Sequence, residues 1–311
     1  MNSKNLITIV MYHYVRPIKN SKYPGVKGLE LNSFKKQLDF LSEKYEFITA
    51  EQLIAYSLGK DELPKNACYL TFDDGFKDHV KYVMPELKSR KLQGSFFPPA
   101  CAIEKKELLD VHAIQFILAN TKNYKELVKD VDQLCLKINF TKNDLVLFKK
   151  KWAIQSDYDS KDIMYVKNML QHVLSEIDRA KIVSHLFKKY VGNNKKKFAE
   201  DLYMSISDIK KLIKNGMYVG SHGYKHMWLG KESRKEQLKD IKKSLKFLKK
   251  VGSNLNEWIM CYPYGSYNND TLKILRQNKC SIALTTKTGL VNLSDYKNLE
   301  LNRLDTNDFY Q

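Results

Sequence analysis

The chain has 311 residues, of which 43% are apolar and 12% aromatic, and its formal net charge is +18 at pH 7. This length and apolar content exclude a largely disordered protein, and they accommodate one large α/β barrel or two smaller domains. The charge favours an anionic partner, such as a phosphorylated small molecule, an anionic membrane surface or nucleic acid. A lysine-rich solvated surface without any ligand explains the charge equally well.

Other features of the composition bear on location. No apolar run approaches the roughly 20 residues of a membrane-spanning helix, which excludes an integral membrane protein. Residues 6–12 form a short apolar run without a small-residue cleavage site, so they predict a first strand and a cytoplasmic protein. The five cysteines are widely spaced and include no Cys-x-x-Cys pair, which argues against a disulfide framework and a cysteine zinc site.

Strand-like and helix-like segments alternate towards the two ends of the chain. Short apolar, β-branched or aromatic runs cover residues 6–12, 67–72, 95–97, 217–219, 258–262 and 281–284. Between them, Thr49 and Gln52 predict a capping box, and an apolar helical stripe comprises Leu238, Ile241, Leu245 and Leu248. This alternation predicts parallel strands joined by crossover helices, a fold in which chemistry gathers at the carboxyl ends of the strands.

The middle third of the chain lacks the residues that usually build turns. No glycine occurs between Gly94 and Gly192, and no proline occurs between Pro99 and Pro263. Loops and tight turns depend on both residue types, so we expect this part of the chain to be almost entirely helical.

The first candidate site follows the predicted strand at 67–72. Its sequence is Thr-Phe-Asp-Asp-Gly, at residues 71–75. The adjacent carboxylates of Asp73 and Asp74 repel each other unless a cation lies beside them, and the glycine permits a sharp exit from the strand. A polar turn before a helix is the alternative.

The second candidate site follows the predicted strand at 217–219. In the segment Ser-His-Gly-Tyr-Lys-His, His222 and His226 are four residues apart, which places both on one side of a helical turn. This is a common spacing for two ligands of one metal, and two histidines without a metal are the alternative. Because both motifs follow strands, we expect two histidines and one aspartate to form a facial metal site.

The third candidate site is the Tyr-Pro-Tyr-Gly segment at 262–265, again at a predicted strand end. Pro263 cannot donate to a central ladder, so the strand must end there. An aromatic, glycine-containing loop with exposed backbone N–H groups suits the rim of a sugar-binding site. An ordinary packed turn is the alternative.

The three motifs, in this order, resemble those of the polysaccharide deacetylase family (carbohydrate esterase family 4, the NodB-homology domain). Tyr12-His13, at the end of the first predicted strand, also occurs in members of that family. The resemblance covers roughly residues 1–104 and 201–311, and it makes residues 105–200 an all-helical insertion that we expect to act as a lid. It implies an α/β fold, a distorted (β/α) barrel of about seven strands.

The resemblance also implies the roles of single residues. Asp74, His222 and His226 would hold a divalent metal, usually zinc, which lowers the pKa of bound water. Asp73 would be the general base for attack on an N-acetyl carbonyl, and the Tyr264 backbone N–H would help to stabilise the oxyanion. Substrate-binding roles are expected for Tyr264, His13, Pro263 and Tyr262.

Two departures from the family pattern concern the groups that assist the base and the leaving amine. Where the family commonly has an arginine that pairs with the base, this chain has Cys261. Arg303 is the expected substitute, and a surface salt bridge between Arg303 and Asp305 is the alternative. The family also commonly has a late histidine that protonates the leaving amine, but no histidine follows His226.

The missing proton donor directs attention to the start of the insertion. His112 follows the predicted strand at 95–97 and is expected to lie at the mouth of the barrel, where a lid would complete the site. His13 is the other histidine that the expected topology places near the metal. Packing of His112 at the base of the insertion is the alternative.

These observations predict a cytoplasmic metal-dependent de-N-acetylase. Its expected substrate is a small amino-sugar precursor of a surface glycan, nucleotide-linked, lipid-phosphate-linked or free. The charge suits such an anionic substrate or peripheral contact with the inner membrane surface. A deformylase on the same scaffold and a non-catalytic sugar-binding protein are the alternatives. No nucleic-acid partner is expected, because the sequence contains no recognition helix or aromatic-and-basic motif.

Overall fold

In the computed structural model, which describes residues 6–156 and 158–308, strands and helices alternate along much of the chain. The strands are β1 (Leu6–Tyr12), β2 (Val15–Arg16), β3 (Leu29–Glu30), β4 (Glu46–Phe47), β5 (Asn66–Asp73), β6 (Ser95–Phe97), β7 (Tyr218–Val219), β8 (Trp258–Cys261), β9 (Cys280–Thr288), β10 (Val291–Asn292) and β11 (Leu301–Asp305). The six predicted strands thus correspond to β1, β5, β6, β7, β8 and β9.

The helices lie between the strands and throughout the middle of the chain, where the sequence predicts them. They are α1 (Leu31–Lys44), α2 (Ala50–Ser57), α3 (Met84–Ser89), α4 (Ala100–Glu104), α5 (Asp110–Asn120), α6 (Tyr124–Leu136), α7 (Lys142–Trp152), α8 (Lys161–Asn168), α9 (Glu176–Tyr190), α10 (Lys195–Leu202), α11 (Ile206–Lys214), α12 (Arg234–Val251) and α13 (Asn269–Gln277). Thr49 and Gln52 form the predicted capping box at the start of α2. No helix in the described ranges is long and apolar enough to cross a membrane.

Seven strands form one parallel sheet in the order β7-β6-β5-β1-β11-β9-β8. Ser221, just after β7, pairs in parallel with Met260 of β8, so the two ends of the sheet meet. The short strand β4 lies parallel to β5, and β10 lies antiparallel to β1. This arrangement confirms the expected distorted (β/α) barrel of about seven strands.

The core follows from the alternation of side chains along the strands. Ile259 and Cys261 of β8 belong to one hydrophobic cluster, together with apolar residues of β1, β5, β9 and helix α2. Trp258 and Met260, at the intervening positions of β8, pack instead with residues of α12 and α13. Parallel strands buried on both faces read as continuous apolar runs, which is why the sequence predicts them so closely.

The chain divides into two compact units. The barrel unit comprises residues 6–17, 28–107 and 199–308 of the described chain, and the helical unit comprises residues 18–27 and 108–198. All regular elements wholly within the helical unit are helices, as the lack of glycine and proline predicts. Residues 18–27, which the sequence assigns to the barrel, belong to the helical unit because Tyr23 packs edge-on against Phe116 and Phe198.

Candidate metal centre

The first two sequence motifs meet at the carboxyl ends of the barrel strands. Asp73 is the last residue of β5 and Asp74 follows it, whereas His222 and His226 lie in the segment after β7. Strands β5 and β7 both pair in parallel with β6, so their carboxyl ends point to the same side of the sheet. All four side chains are buried.

Three potential ligand atoms converge at this point. Oδ1 of Asp74 lies 3.5 Å from Nε2 of His222 and 3.3 Å from Nε2 of His226, and the two Nε2 atoms are 3.1 Å apart. A tetrahedral zinc ion with bonds of about 2.0–2.1 Å separates its ligand atoms by about 3.3 Å. The donor set and its spacing therefore fit a zinc-sized divalent metal.

The two histidines come together by a route that differs from the sequence-based interpretation. Residues 221–226 form an irregular loop and not a helical turn. The loop reverses at Gly223, with φ +69°, and again at His226, with φ 55°. A Cβ atom at Gly223 would lie 2.9 Å from Oδ2 of Asp240, so both the conformation and the space require glycine there.

A hydrogen bond fixes the tautomer of the first histidine. Nδ1–H of His222 donates to the carbonyl oxygen of Cys261 at 2.9 Å. The lone pair therefore lies on Nε2, the atom that faces Asp74, as a metal ligand requires. Burial by itself lowers the pKa of His222, but the carboxylates of Asp74 and Asp73 stabilise the protonated ring and raise this pKa above its ordinary value. The site thus favours a positive charge.

Helix α12 holds the loop that carries the histidines. The buried carboxylate of Asp240 accepts hydrogen bonds from the backbone N–H groups of Tyr224 and Lys225, both at 2.8 Å. One turn further along, the Ser244 hydroxyl lies 2.7 Å from that of Ser221. These contacts tie both ends of the loop to one helix, so α12 positions the two histidines.

Backbone strain is concentrated at the site. Seven non-glycine residues of the described chain have positive φ, and three of them are Asp74, His226 and Tyr264. Such conformations are unfavourable for residues with a Cβ atom, and they persist where the surrounding structure enforces them, often at functional sites. Two of the three potential ligands and the residue expected to offer its N–H are therefore held in unusual conformations.

Asp73 forms a buried two-point ion pair with Arg303. Nη1 and Nη2 of Arg303 donate to the two carboxylate oxygens of Asp73 at 3.0 and 2.7 Å. Burial by itself raises the pKa of Asp73, but the arginine charge outweighs it and lowers the pKa to about 2. Asp73 is therefore ionised and fixed in direction. The expected pairing of Arg303 with Asp73 is confirmed, and its catalytic role stays a prediction.

The arginine is itself fixed within the barrel. Nε of Arg303 donates to the carbonyl oxygen of Thr285 at 2.8 Å, and Nη1 lies 3.2 Å from Oγ1 of Thr71. Nη1 also lies 3.4 Å from Sγ of Cys261, the residue found where the family commonly has arginine. The small cysteine side chain leaves the space that the guanidinium from β11 fills.

The third motif provides one surface residue and one core residue. Tyr264 is half-buried, lies edge-on to His226 with ring centroids 4.6 Å apart, and stacks on Trp228. The expectation that Tyr262 lines the substrate site is wrong for its side chain. Tyr262 is fully buried and its hydroxyl donates to the Leu299 carbonyl, because Tyr262 continues the alternation of Trp258 and Met260 and packs in the same hydrophobic cluster.

The histidines named as proton donors lie in different units. His13 follows β1 directly, is half-buried, and neighbours the Asp73 region because Tyr12 and Phe72 are paired in register. His112 is buried within α5 of the helical unit, and its role stays a prediction. His79, which belongs to none of the three sequence motifs, is fully buried and donates from Nε2 to the His13 carbonyl at 2.9 Å.

Comparison with known proteins finds a match to one protein family and structural similarity to several solved structures. Residues 158–283 match the family model described as polysaccharide deacetylase, a range that includes both histidines of the candidate centre. No curated protein sequence matches the chain.

Solved structures match almost the whole chain. The Streptococcus pyogenes deacetylase PplD in complex with acetate shares 17% identity, with a TM-score of 0.59 over 97% of this chain and 92% of that chain. IcaB from Ammonifex degensii shares 18% identity, with the same TM-score and coverage. A de-N-acetylase from Aggregatibacter actinomycetemcomitans shares 14%, with a TM-score of 0.56 over 96% and 94% of the two chains. At these identities the likeness shows a common fold.

The barrel, the order of the motifs along the chain and the family match agree with one another. Residues 158–283 are therefore similar to the polysaccharide deacetylase family, and the chain as a whole has the fold of the solved deacetylase structures.

Proposed function

We propose that this protein is a metal-dependent carbohydrate de-N-acetylase. One observation carries the proposal: the ligand atoms of Asp74, His222 and His226 converge beside Asp73, an ionised carboxylate held by Arg303. Two histidines and one carboxylate leave open positions on a divalent metal, as a hydrolytic site needs. A sugar-binding site has no need for an ion-paired carboxylate beside such a donor set.

Asp74, His222 and His226 would hold a divalent metal, in our proposal zinc, which would lower the pKa of water and polarise the acyl oxygen. Asp73 accepts the proton of the attacking water, since its carboxylate is ionised and lies at the same strand end as the donor set. Arg303 fixes the direction of Asp73, and the Tyr264 backbone N–H donates to the developing oxyanion. The amide carbon–nitrogen bond then breaks to yield acetate and the amino sugar.

The leaving amine needs a proton, and two histidines are candidates. His112 is the residue that the sequence analysis favours, in a lid formed by the insertion. Within the barrel unit, His222 and His226 are potential ligands, and His79 is buried with Nε2 bonded to the His13 carbonyl. His13 remains, half-buried and beside the Asp73 region, so we propose it as the second candidate.

We propose a small amino sugar attached to phosphate as the substrate, as a nucleotide or lipid-phosphate derivative, and a precursor of a surface glycan. The formal net charge of +18 supports an anionic substrate, and the S. pyogenes deacetylase structure, which contains acetate, supports acetate as product. A cytoplasmic location belongs to the same proposal, and cell fractionation with detection of the chain tests it.

The decisive experiment measures acetate release from nucleotide-linked, lipid-linked and free N-acetylated sugars by the zinc-loaded protein. We expect release by the wild type and none by Asp74→Ala or by protein treated with a chelator. Formate release from N-formyl sugars alone would instead identify a deformylase. Sugar binding without release of either acid, in protein with full metal content, would contradict the enzymatic proposal.

A further inference from the structure

The exposed apolar side chains of this protein are concentrated in the helical unit. Eight large apolar side chains of the described chain are exposed, and six of these lie in the helical unit. Three are close together on α7 and just beyond its end: Val146, Leu147 and Ile154 are 64%, 63% and 63% exposed. Tyr158 adds an exposed aromatic ring a few residues later. Such clustering marks an interaction surface more often than scattered single residues do.

Helical geometry places these side chains on one face. Val146, Leu147, Lys150 and Lys151 are spaced by one, three and four residues, so they share the outer side of α7, and all four are exposed. Leu145 lies on the opposite side of the helix and is buried. We name the five residues Val146, Leu147, Lys150, Lys151 and Ile154 the α7 surface.

The segment that carries the α7 surface is rich in lysine. Residues 137–156 contain five lysines and a single acidic residue, Asp144, which caps the start of α7. Lys149 turns inward to Asp132 and Tyr165, whereas Lys150 and Lys151 stay exposed beside the apolar side chains. Trp152, at the end of α7, is half-buried.

We propose that the α7 surface binds an anionic lipid bilayer. Aliphatic side chains at the centre would enter the boundary between headgroups and acyl chains, and the neighbouring lysines would stay with the lipid phosphates. Tyrosine and tryptophan suit the same interfacial depth. The combination of apolar side chains with lysines on one face matches an anionic membrane better than it matches a neutral membrane or an apolar protein groove.

This inference concerns the helical unit alone and does not depend on the chemistry of the barrel. Membrane binding and acetate release are measured separately, so the failure of one leaves the other intact. If both hold, the α7 surface would keep the protein at the bilayer where lipid-phosphate-linked sugars reside.

The test is sedimentation of the full-length protein with vesicles. We expect wild-type protein to bind vesicles of equal parts phosphatidylglycerol and phosphatidylcholine and to bind phosphatidylcholine vesicles weakly, with binding to the anionic vesicles decreasing at high salt. Val146→Ser combined with Leu147→Ser should lower the partition coefficient about tenfold or more. Lys150→Gln combined with Lys151→Gln should lower it about tenfold.

Ile177 provides the matched control. It is an exposed aliphatic residue of the same unit, but Glu176 and Asp178 flank it, so Ile177→Ser should leave vesicle binding unchanged. All five native cysteines are buried, so a dye attached to Leu147→Cys reports on this position, and Ile177→Cys serves as its control. We expect a blue shift with anionic vesicles only for the dye at position 147.

Three outcomes would overturn the proposal. The first is wild-type protein that does not bind anionic vesicles. The second is equal loss of binding in Ile177→Ser and in the α7 variants. The third is a dimer of the wild type in light scattering that Val146→Ser with Leu147→Ser converts to monomer, which would assign the α7 surface to a second copy of the chain.

Discussion

The guanidinium of Arg303, on the last strand of the barrel, donates to both carboxylate oxygens of Asp73, a residue 230 positions earlier in the chain. Both side chains are almost completely buried. Strand β1 lies between β5 and β11, so the pair spans the ring across one strand. Arg303 thus makes the two-point contact with Asp73 that the sequence predicts, and its role in catalysis stays a prediction.

Substitutions of Arg303 should distinguish its effect on the orientation of Asp73 from the effect of its positive charge. Arg303→Lys keeps a positive charge but loses the two-point contact, so we expect kcat to fall about tenfold to a hundredfold with metal content unchanged. Arg303→Met leaves Asp73 buried without its charge partner and should lower the free energy of unfolding by about 3–5 kcal/mol. The double variant Asp73→Asn with Arg303→Met should recover part of this loss in urea unfolding. Wild-type turnover in Arg303→Lys would contradict the positioning role.

Substitutions of the two adjacent aspartates should affect metal binding in one case and proton transfer in the other. Asp74→Ala and His222→Ala should lose bound zinc and activity together, because each removes one of three ligands. Asp73→Asn should retain zinc and lose about 10²–10⁴ in turnover, the usual loss when a general base is removed. Zinc per chain, measured by elemental analysis after dialysis, distinguishes the two results. Equal zinc loss in Asp73→Asn would mean that this carboxylate is also a ligand.

Asp240 is not one of the three potential metal ligands, but it should affect metal affinity through the loop that carries the histidines. Asp240→Asn can accept only one of the two loop N–H groups with its single carboxamide oxygen, so the loop that carries His222 and His226 loses a restraint. We expect the zinc dissociation constant to rise about tenfold to a hundredfold, as for other groups that orient ligands. Lys242→Ala, an exposed substitution on the same helix, is the control. Unchanged zinc affinity in Asp240→Asn would limit the role of Asp240 to folding.

How far the sequence predicts the site depends on where each residue's partners lie. Asp74, His222 and His226 directly follow parallel strands, and the carboxyl ends of such strands meet, so local pattern is sufficient to bring them together. Asp240 depends on tertiary packing. The apolar stripe that includes Leu238 predicts one buried face of α12. In the structure, the buried face lies further round the helix and includes the polar residues Gln237, Asp240 and Ser244. Polar residues at helical spacing are the signal that could have shown it.

The predictions that the structure contradicts also concern residues whose positions depend on more than the local sequence pattern. The spacing of the two histidines is compatible with a helix, but Gly223 at positive φ makes a tighter reversal that periodicity does not describe. The aromatic motif predicts that Tyr262 lies at the substrate rim. Its ring instead packs in the core, because Tyr262 continues the side-chain alternation of the preceding strand β8. Assignment of residues 18–27 to the helical unit rests on contacts between distant aromatic rings, which no local pattern reveals.

Stability should depend on pH through His79. Burial lowers the pKa of His79 from 6.5 to about 4, so the unfolded chain binds this proton more readily than the folded protein does. This difference contributes to the free energy of unfolding. The contribution is fully present above the pKa of histidine in the unfolded chain, and about 3 kcal/mol of it is lost as the pH falls towards 4. His79→Gln keeps a donor for the His13 carbonyl, so its metal-free form should lose less stability between pH 7 and pH 4 in urea unfolding. Identical slopes for the two proteins would contradict this.

The identity of the proton donor is open to a direct comparison of His13 and His112. If His13 protonates the leaving amine, His13→Gln should lower kcat about 10²–10⁴-fold and retain zinc. His112→Gln should then change kcat little. If His112 is the acid in a lid, the pattern reverses, and His112→Gln should also raise KM, because a lid that encloses the substrate contributes to binding. Zinc content measured on both variants separates either result from loss of the metal. Full turnover in both would show that neither histidine supplies the proton.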